Sequence, residues 1–149
     1  MILVDTNVLA RSLQLGSKHY QPAIDAIAHE RTQNNKVLII APQTLIELYV
    51  TCTRTENGLG LTPEQALLEI ADVKTRYPLL PETSAIFPQW EGLVAKYKPT
   101  NRRVFDTRHV AFMLVHQIRK LLSFNDKDFM QCSEIQVLNP FDVLNIPRA

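Results

Sequence analysis

The stretch MILVDTNVLA (residues 1–10) begins with an apolar run and then changes character at Asp5. The run at residues 2–4 predicts a short strand buried in a sheet. Apolar residues return after Asp5 at helical spacing, so a helix is expected over about residues 7–15. Ligands of open parallel sheets bind beyond the carboxyl ends of the strands. We therefore expect Asp5 to lie where a ligand binds.

The composition is that of an ordinary globular protein. The chain has 149 residues, of which 46% are hydrophobic and 21% charged. This length favours one domain over residues 1–149. The formal net charge is +1, from 16 Lys and Arg against 15 Asp and Glu, so the whole molecule does not attract nucleic acid or membrane. An anionic partner would need a local basic patch or a bound metal ion.

Cellular location is predicted from three features. Asp5 and Arg11 interrupt the apolar start, so we expect no secretory leader. No apolar run approaches the roughly 20 residues that a membrane helix needs. Cys52 and Cys132 have neither metal-motif spacing nor the density of a disulfide scaffold. A cytoplasmic protein that does not use a membrane is expected.

The rest of the chain alternates strands with helices. The apolar run at residues 37–40 is typical of a strand buried on both faces, and further strands are expected at 121–124 and 135–138. Thr62, Pro63 and Gln65 form a helix start with a capping box. This helix should end before Pro78. Other helices are expected at residues 18–32, 42–55, 84–97 and 104–119, a turn or short helix at 126–130, and an irregular tail from Asn139. This order predicts an α/β fold with three α/β/α layers and a central, mostly parallel sheet.

Glu47 lies in an otherwise apolar segment, LIELYV at residues 45–50, on the helix that follows the second strand. Helical spacing places it beside Gln43, Thr44 and Thr51, while Leu48 belongs to the opposite, core side. Glu47 is thus expected in a polar strip near the end of the strand. A solvated helix glutamate is the alternative interpretation.

Asp106 falls in the first turn of a later helix, whose expected core side is Phe105, Val110, Met113 and Leu114. Because the helix dipole favours aspartate at this position, Asp106 alone is consistent with a simple helix start.

The cluster NDKD at residues 125–128 directly follows the strand at 121–124, as Asp5 follows the first strand. Such a cluster is usually a turn. In a parallel sheet, however, all these acidic positions reach one edge. Clustered carboxylates repel each other unless a cation neutralises them, and oxygen ligands without convergent His or Cys select Mg²⁺ or Mn²⁺.

Three segments resemble the motifs of PIN-domain nucleases. Residues 2–9 (ILVDTNVL) resemble the opening motif of the family. Residues 104–111 (VFDTRHVA) through 121–129 (LLSFNDKDF) resemble its later acidic motifs, and residues 135–140 (IQVLNP) its closing strand. The resemblance covers nearly the whole chain in the right order. It is greatest to the VapC-type toxins of bacterial toxin–antitoxin pairs.

The resemblance implies roles for individual residues. Asp5, Glu47 and Asp106 match the first three family acids, which are catalytic residues and metal ligands. The fourth position is open between Asn125, two places after a serine, and Asp126, which we take as the catalytic acid and metal ligand.

Other polar residues receive supporting roles. Thr6 and Asn7 match small polar positions that support the site, and Asn125 is placed with them. Asp128 is interpreted as a structural turn residue. His109, one turn after the third acid, could lie near the site, but we favour packing within its helix or a surface position.

The implied activity is that of an endoribonuclease that depends on Mg²⁺ or Mn²⁺ and leaves a 5′-phosphate and a 3′-hydroxyl. An acidic site repels a phosphodiester unless bound metal reverses the local charge, and the metal also activates water for attack. Lys98, Arg102, Arg103 and Arg108 surround the loop before the third acid. They either contact RNA phosphates or form a solvated charged loop.

Partners are also implied by the resemblance. The helices within residues 59–90 are expected to build a homodimer face and a groove for a small antitoxin protein, whose arginine would block the acidic site. Alternatives are a solitary PIN nuclease in RNA processing and a PIN-like binding module with weakened catalysis. A phosphotransfer domain is disfavoured, because residue 7 is Asn rather than a second aspartate and no lysine follows at a later strand end.

Overall fold

The computed structural model describes residues 1–148. A four-stranded parallel sheet lies at its centre, with strand order β2-β1-β3-β4. The strands are β1 (Ile2–Val4), β2 (Leu38–Ile39), β3 (Lys120–Leu122) and β4 (Gln136–Leu138). Since all four run in the same direction, their carboxyl ends share one edge of the sheet.

Eight helices are present within residues 1–148. They are α1 (Thr6–Leu13), α2 (Tyr20–Thr32), α3 (Pro42–Thr53), α4 (Pro63–Arg76), α5 (Ile86–Tyr97), α6 (Arg103–Val115), α7 (Asp126–Phe129) and α8 (Pro140–Val143). In this part of the chain no helix has both the length and the apolar character needed to cross a membrane.

The two faces of the sheet bury different side chains. Ile2 and Val4 pack with residues of α1 to α4, whereas Leu3 packs with residues of α5 and α6. In β3, Leu122 joins the first cluster and Leu121 the second. Because neighbouring strand residues point to opposite faces, an unbroken apolar run is what a sheet covered on both sides requires. The predicted three-layer α/β/α fold is confirmed.

Most predicted elements are confirmed, with differences at their ends. The capping box of α4 is present, since Thr62 accepts from the Gln65 backbone N–H at 3.2 Å and Gln65 accepts from the Thr62 N–H at 2.9 Å. β2 is shorter than expected because Val37 is exposed. Helix α6 ends at Val115, just before Gln117, whose φ of 57° lies in the left-handed region.

The tail is not irregular as expected. Asn139 accepts a hydrogen bond from the Phe141 backbone N–H at 3.1 Å and so caps the short helix α8. Phe141 is buried. The capping side chain and this apolar anchor give the segment after β4 a defined structure.

Candidate active site

Asp5 stands at the carboxyl end of β1 and is buried. Its backbone N–H donates to the Leu122 carbonyl at 3.0 Å, which joins the ends of β1 and β3. As the N-cap of α1, its Oδ1 accepts from the Thr6 backbone N–H at 2.7 Å. Oδ2 accepts from Ser123 Oγ at 2.6 Å and from Asn7 Nδ2 at 2.9 Å. Three donors from two elements therefore fix this carboxylate.

Ser123 and Asn7 bridge the ends of the two central strands. Ser123 Oγ accepts from Asn7 Nδ2 and from the Asn125 backbone N–H, each at 3.0 Å. Asn7 Oδ1 in turn accepts from the Phe124 N–H at 3.1 Å. The hydroxyl of Ser123 thus donates once and accepts twice, which uses its full capacity. Ser123 was not predicted as a site residue, although its place directly after an apolar strand is the same signal that singled out Asp5.

Glu47 reaches the same edge from α3. Its Oε2 accepts from Thr6 Oγ1 at 3.0 Å, and its Oε1 accepts from Gln43 Nε2 at 2.6 Å. Gln43 Nε2 also donates to the Phe105 carbonyl at 3.1 Å. Although burial opposes ionisation, hydrogen bonds from His109, Gln43 and Thr6 lower the pKa of Glu47 to about 2. Glu47 is therefore a fixed, ionised carboxylate.

Asp106 lies half-buried in the first turn of α6. Burial, followed by the negative charges of Asp128 and Asp5, raises the pKa of Asp106 to about 6. Burial also raises the pKa of Asp5, to which the charge of Glu47 adds. The carboxylates are thus close enough to oppose one another's ionisation.

His109 follows Asp106 on the same side of α6, and only 2% of it is exposed. Its Nε2 lies 3.4 Å from Glu47 Oε2, while its Nδ1 is buried with no hydrogen-bond partner within residues 1–148. Of the two interpretations of His109, the structure supports the less favoured one, because the ring reaches the acidic site. The signal was the i, i+3 spacing from Asp106, which places both side chains on one side of the helix.

The acidic site fits a hard divalent cation. Asp5, Glu47 and His109 each offer one ligand atom, and these atoms lie within 4.8 Å of one another. Mutually repelling carboxylates with raised pKa values are what a cation would neutralise. Two of the three possible ligands are carboxylates, which suits Mg²⁺ or Mn²⁺.

The acidic residues after β3 do not share one environment. Asp126 forms an ion pair with Arg148, whose Nη1 lies 3.0 Å from Oδ2, and accepts from Asn139 Nδ2 at 3.4 Å. Asn125 Nδ2 donates to Asp128. Among the carboxylates, it is Asp128 that most affects the pKa of Asp106. Asp126 thus contacts residues of the chain's end, Asn139 and Arg148, whereas Asp128 acts on Asp106 of the acidic site.

The predicted basic residues also separate into two groups. Arg102 and Arg103 line an open cavity of about 490 Å³ together with Asp128, and Lys98 is exposed at the start of the same loop. Arg108 instead pairs with Glu82 and donates from Nη1 to Gln43 Oε1 at 2.9 Å. The guanidinium of Arg108 therefore fixes Gln43, and Gln43 donates in turn to Glu47.

Phe105 was expected in the core, but 61% of it is exposed. With Phe87 and Trp90 it lines a second cavity, of about 250 Å³, between α5 and the start of α6. Arg108 also lines this cavity, and its hydrogen bond to Gln43 links the cavity to Glu47 of the acidic site.

A parallel sheet with carboxylates collected beyond its strand ends defines an α/β protein with an acidic candidate active site. The sequence profile of the family described as PIN domain matches residues 2–134, and the chain belongs to this family. No curated protein sequence matches the chain significantly.

Solved structures of toxins share the fold. A toxin–antitoxin complex from Klebsiella pneumoniae matches with a TM-score of 0.62 at 19% identity, over 94% of this chain and 98% of that one. The sarcin-ricin loop cleaving toxin VapC20 of Mycobacterium tuberculosis matches with a TM-score of 0.63 at 18% identity, over 89% of this chain and 95% of that one. VapBC2 of Rickettsia felis, bound to a promoter DNA fragment, matches with a TM-score of 0.66 at 14% identity, over 93% of this chain and 98% of that one.

Proposed function

We propose that the protein is an endoribonuclease dependent on Mg²⁺ or Mn²⁺ and is the toxin of a toxin–antitoxin pair. The observation that carries this proposal is the meeting of Asp5, Glu47 and His109 within 4.8 Å at one sheet edge in a member of the PIN domain family. Asp106 is close enough for the charges of Asp5 and Glu47 to raise its pKa. The likeness of fold to a toxin that cleaves the sarcin-ricin loop supports RNA as the substrate.

Asp5, Glu47 and Asp106 would hold the metal ion. When bound, the ion supplies positive charge for the scissile phosphate and activates water for in-line attack. Thr6, Asn7 and Ser123 act before any substrate arrives, because their hydrogen bonds fix the buried carboxylate of Asp5 and the partly buried carboxylate of Glu47. Such preorganisation removes the free energy cost of ordering ligands during the reaction.

We assign the fourth acidic position to Asp128 rather than Asp126. The negative charge of Asp128 acts on Asp106, whereas Asp126 forms an ion pair with Arg148, which also pairs with Asp142. Asn125 supports Asp128 through its side chain and Ser123 through its backbone N–H.

Lys98, Arg102 and Arg103 would bind RNA phosphates on the side of the site where Asp128 lies. Arg102 and Arg103 are exposed and line a cavity together with Asp128. RNA phosphates bound to these arginines would therefore lie next to the proposed fourth acid. Arg108 is assigned to holding Gln43.

The apolar cavity formed by Phe87, Trp90 and Phe105 is the proposed site for an antitoxin segment. Because Arg108 and Gln43 link this cavity to Glu47, a basic residue of an antitoxin bound there would be placed to reach the carboxylates. A second apolar surface, with exposed Ile46, Val50, Leu67 and Leu68 on α3 and α4, is proposed as the homodimer face.

The proposal is tested by mixing purified protein with end-labelled RNA and identifying the new ends. Mg²⁺-dependent cleavage to 5′-phosphate and 3′-hydroxyl ends is expected, with inhibition by the product of the adjacent gene. Uninhibited cleavage and no complex with that product would contradict the toxin assignment but not the nuclease assignment. Size-exclusion chromatography of Leu68→Glu against wild type tests the dimer, and an unchanged elution volume would contradict it.

A further inference from the structure

The buried ring of His109 presents one nitrogen to the acidic site. Nε2 lies 3.4 Å from Glu47 Oε2, and Nδ1 has no partner within residues 1–148. Two arrangements place such a ring in a metal site. Either a bare Nε2 binds the cation directly, or a protonated Nε2 donates to Glu47 and the cation is bound by oxygen atoms alone.

The surroundings of Nδ1 separate these two arrangements. If Nε2 were bare, the ring proton would sit on Nδ1, where the structure offers no acceptor. A buried N–H without an acceptor is unfavourable and rare. Histidines that bind metal almost always donate their second N–H to a carboxylate or carbonyl, which Nδ1 lacks. With the proton on Nε2, only a lone pair is left without a partner.

The lone pairs of Glu47 favour the same arrangement. A carboxylate offers about four lone-pair positions. Thr6 donates to Oε2 and Gln43 to Oε1, and a protonated Nε2 of His109 adds a second donor to Oε2. These donors belong to α1, α3 and α6, so they fix the carboxylate from three sides. Asp5 likewise accepts from Thr6, Asn7 and Ser123. Each carboxylate then keeps about one position for a cation.

We infer that His109 is a positioning residue whose Nε2–H holds Glu47, so that the cation is bound by oxygen ligands alone. This inference rests on the proposed metal-dependent function, because it concerns how that site holds its ion. The assignment requires only that Nε2 carries a proton.

The wild-type protein provides the first test, in the absence of RNA. Pulsed electron paramagnetic resonance of bound Mn²⁺ detects the strong ¹⁴N coupling of a directly bound imidazole. We expect no such coupling. A ¹⁴N coupling of direct ligation that disappears in His109→Leu would overturn the inference, and the wild-type spectrum is decisive even if that variant does not fold.

Calorimetric titrations with Mg²⁺ and Mn²⁺ provide the second test. His109→Leu should weaken the binding of both ions by a similar factor, about tenfold, because the change acts through Glu47. His109→Gln, whose amide can donate, should recover most of the affinity. The matched control is His116→Leu, since His116 contacts the Pro81 carbonyl at 3.0 Å instead of a carboxylate, and it should bind like wild type.

Two results of the titrations would overturn the inference. One is a loss in His109→Leu that is much larger for Mn²⁺ than for Mg²⁺, because nitrogen ligation favours Mn²⁺. The other is unchanged affinity for both ions. A failure of RNA cleavage with the expected titrations would contradict the proposed function alone, whereas a wild type that binds neither ion would overturn both.

Discussion

The acidic site has two halves that are held in different ways. In the first half, Asp5 and Glu47 each accept hydrogen bonds from several donors on neighbouring elements. In the second half, the charge of Asp128 raises the pKa of Asp106, and no hydrogen bond from within residues 1–148 lowers it. The first half is fixed by the fold, whereas the second half is a repelling pair that a cation would hold together.

The pKa values of Glu47 and Asp106 differ in the same sense. Hydrogen bonds lower the pKa of Glu47 to about 2, while burial and like charges raise that of Asp106 to about 6. Burial raises the pKa of Asp5 as well, although Asp5 belongs to the first half. Since a cation binds the carboxylate form, metal binding is expected to release protons from Asp106 and Asp5 rather than from Glu47.

The largest effect is expected when the first half loses a ligand. Asp5→Asn should reduce RNA cleavage by more than the roughly 100-fold that removing a supporting partner costs, because a direct ligand is lost. The cleavage rate of labelled RNA under saturating Mg²⁺ measures this, with circular dichroism to verify folding. Substantial activity in a folded Asp5→Asn protein would contradict the assignment of Asp5.

In the second half, Asp106→Asn should reduce activity but stabilise the metal-free protein. The pKa of Asp106 is about 6 in the folded chain and about 3.9 when unfolded. Because the folded state binds the proton more tightly, the stability that protonation provides is present below about pH 4 and is lost as the pH rises through about 6. The variant should therefore melt at a higher temperature than wild type at pH 8 in EDTA. The increase should be about 2–4 °C for each kcal/mol that the substitution adds to the free energy of unfolding.

Melting temperatures from pH 3.5 to 8 provide the measurement for Asp106→Asn. The difference from wild type should be small at pH 3.5 and largest above pH 6. Asp25→Asn, an exposed substitution on α2, is the control and should show no such trend. A variant that is less stable than wild type at pH 8 would show that like-charge repulsion does not dominate at Asp106.

A smaller effect is expected from the last acid of the second half. Asp128→Asn should lower the cleavage rate by about 10–100-fold if Asp128 supports the metal ligands. Asp126→Asn should leave the rate nearly unchanged and cost at most about 1 kcal/mol of stability, because its pair with Arg148 is partly exposed. A larger loss of activity in Asp126→Asn than in Asp128→Asn would contradict this assignment and make Asp126 the fourth acid of the site.

The smallest effect concerns one of the donors of the first half. Thr6→Val keeps the shape of the side chain but removes the hydroxyl that donates to Glu47. Loss of about 1 kcal/mol should lower kcat/KM by about fivefold. Thr53→Val, which removes a hydroxyl bonded within α3 to the Tyr49 carbonyl, is the control. Equal rates for the two variants would mean that Thr6 does not position Glu47.

The first half could largely be predicted from the sequence. An apolar run that stops at Asp5 defines a strand end, and helical spacing places Gln43 beside Glu47, as the structure shows. Local rules suffice here because the signals are periodic and lie within one strand or one helix. Ser123 was missed because the predicted strand ran to residue 124, whereas β3 ends at Leu122 and leaves Ser123 at the strand end.

The second half depends on tertiary structure. Helix α7 spans only Asp126–Phe129, so a shift of one residue in its start changes which aspartate faces the site. Phe105 looks like a core residue by its type, yet it lines an open cavity. His109 shares one side of α6 with Asp106, but only the approach of α3 brings Glu47 to it.

The rate of RNA cleavage as a function of Mg²⁺ concentration, measured for wild type and Asp5→Asn, tests the central claim most directly. The claim is that the two acidic halves act only when a cation joins them. We predict no cleavage by wild type in EDTA, a rate that rises with Mg²⁺ to saturation, and little cleavage by Asp5→Asn at any concentration. Wild-type cleavage at the same rate in EDTA and in Mg²⁺ would contradict it.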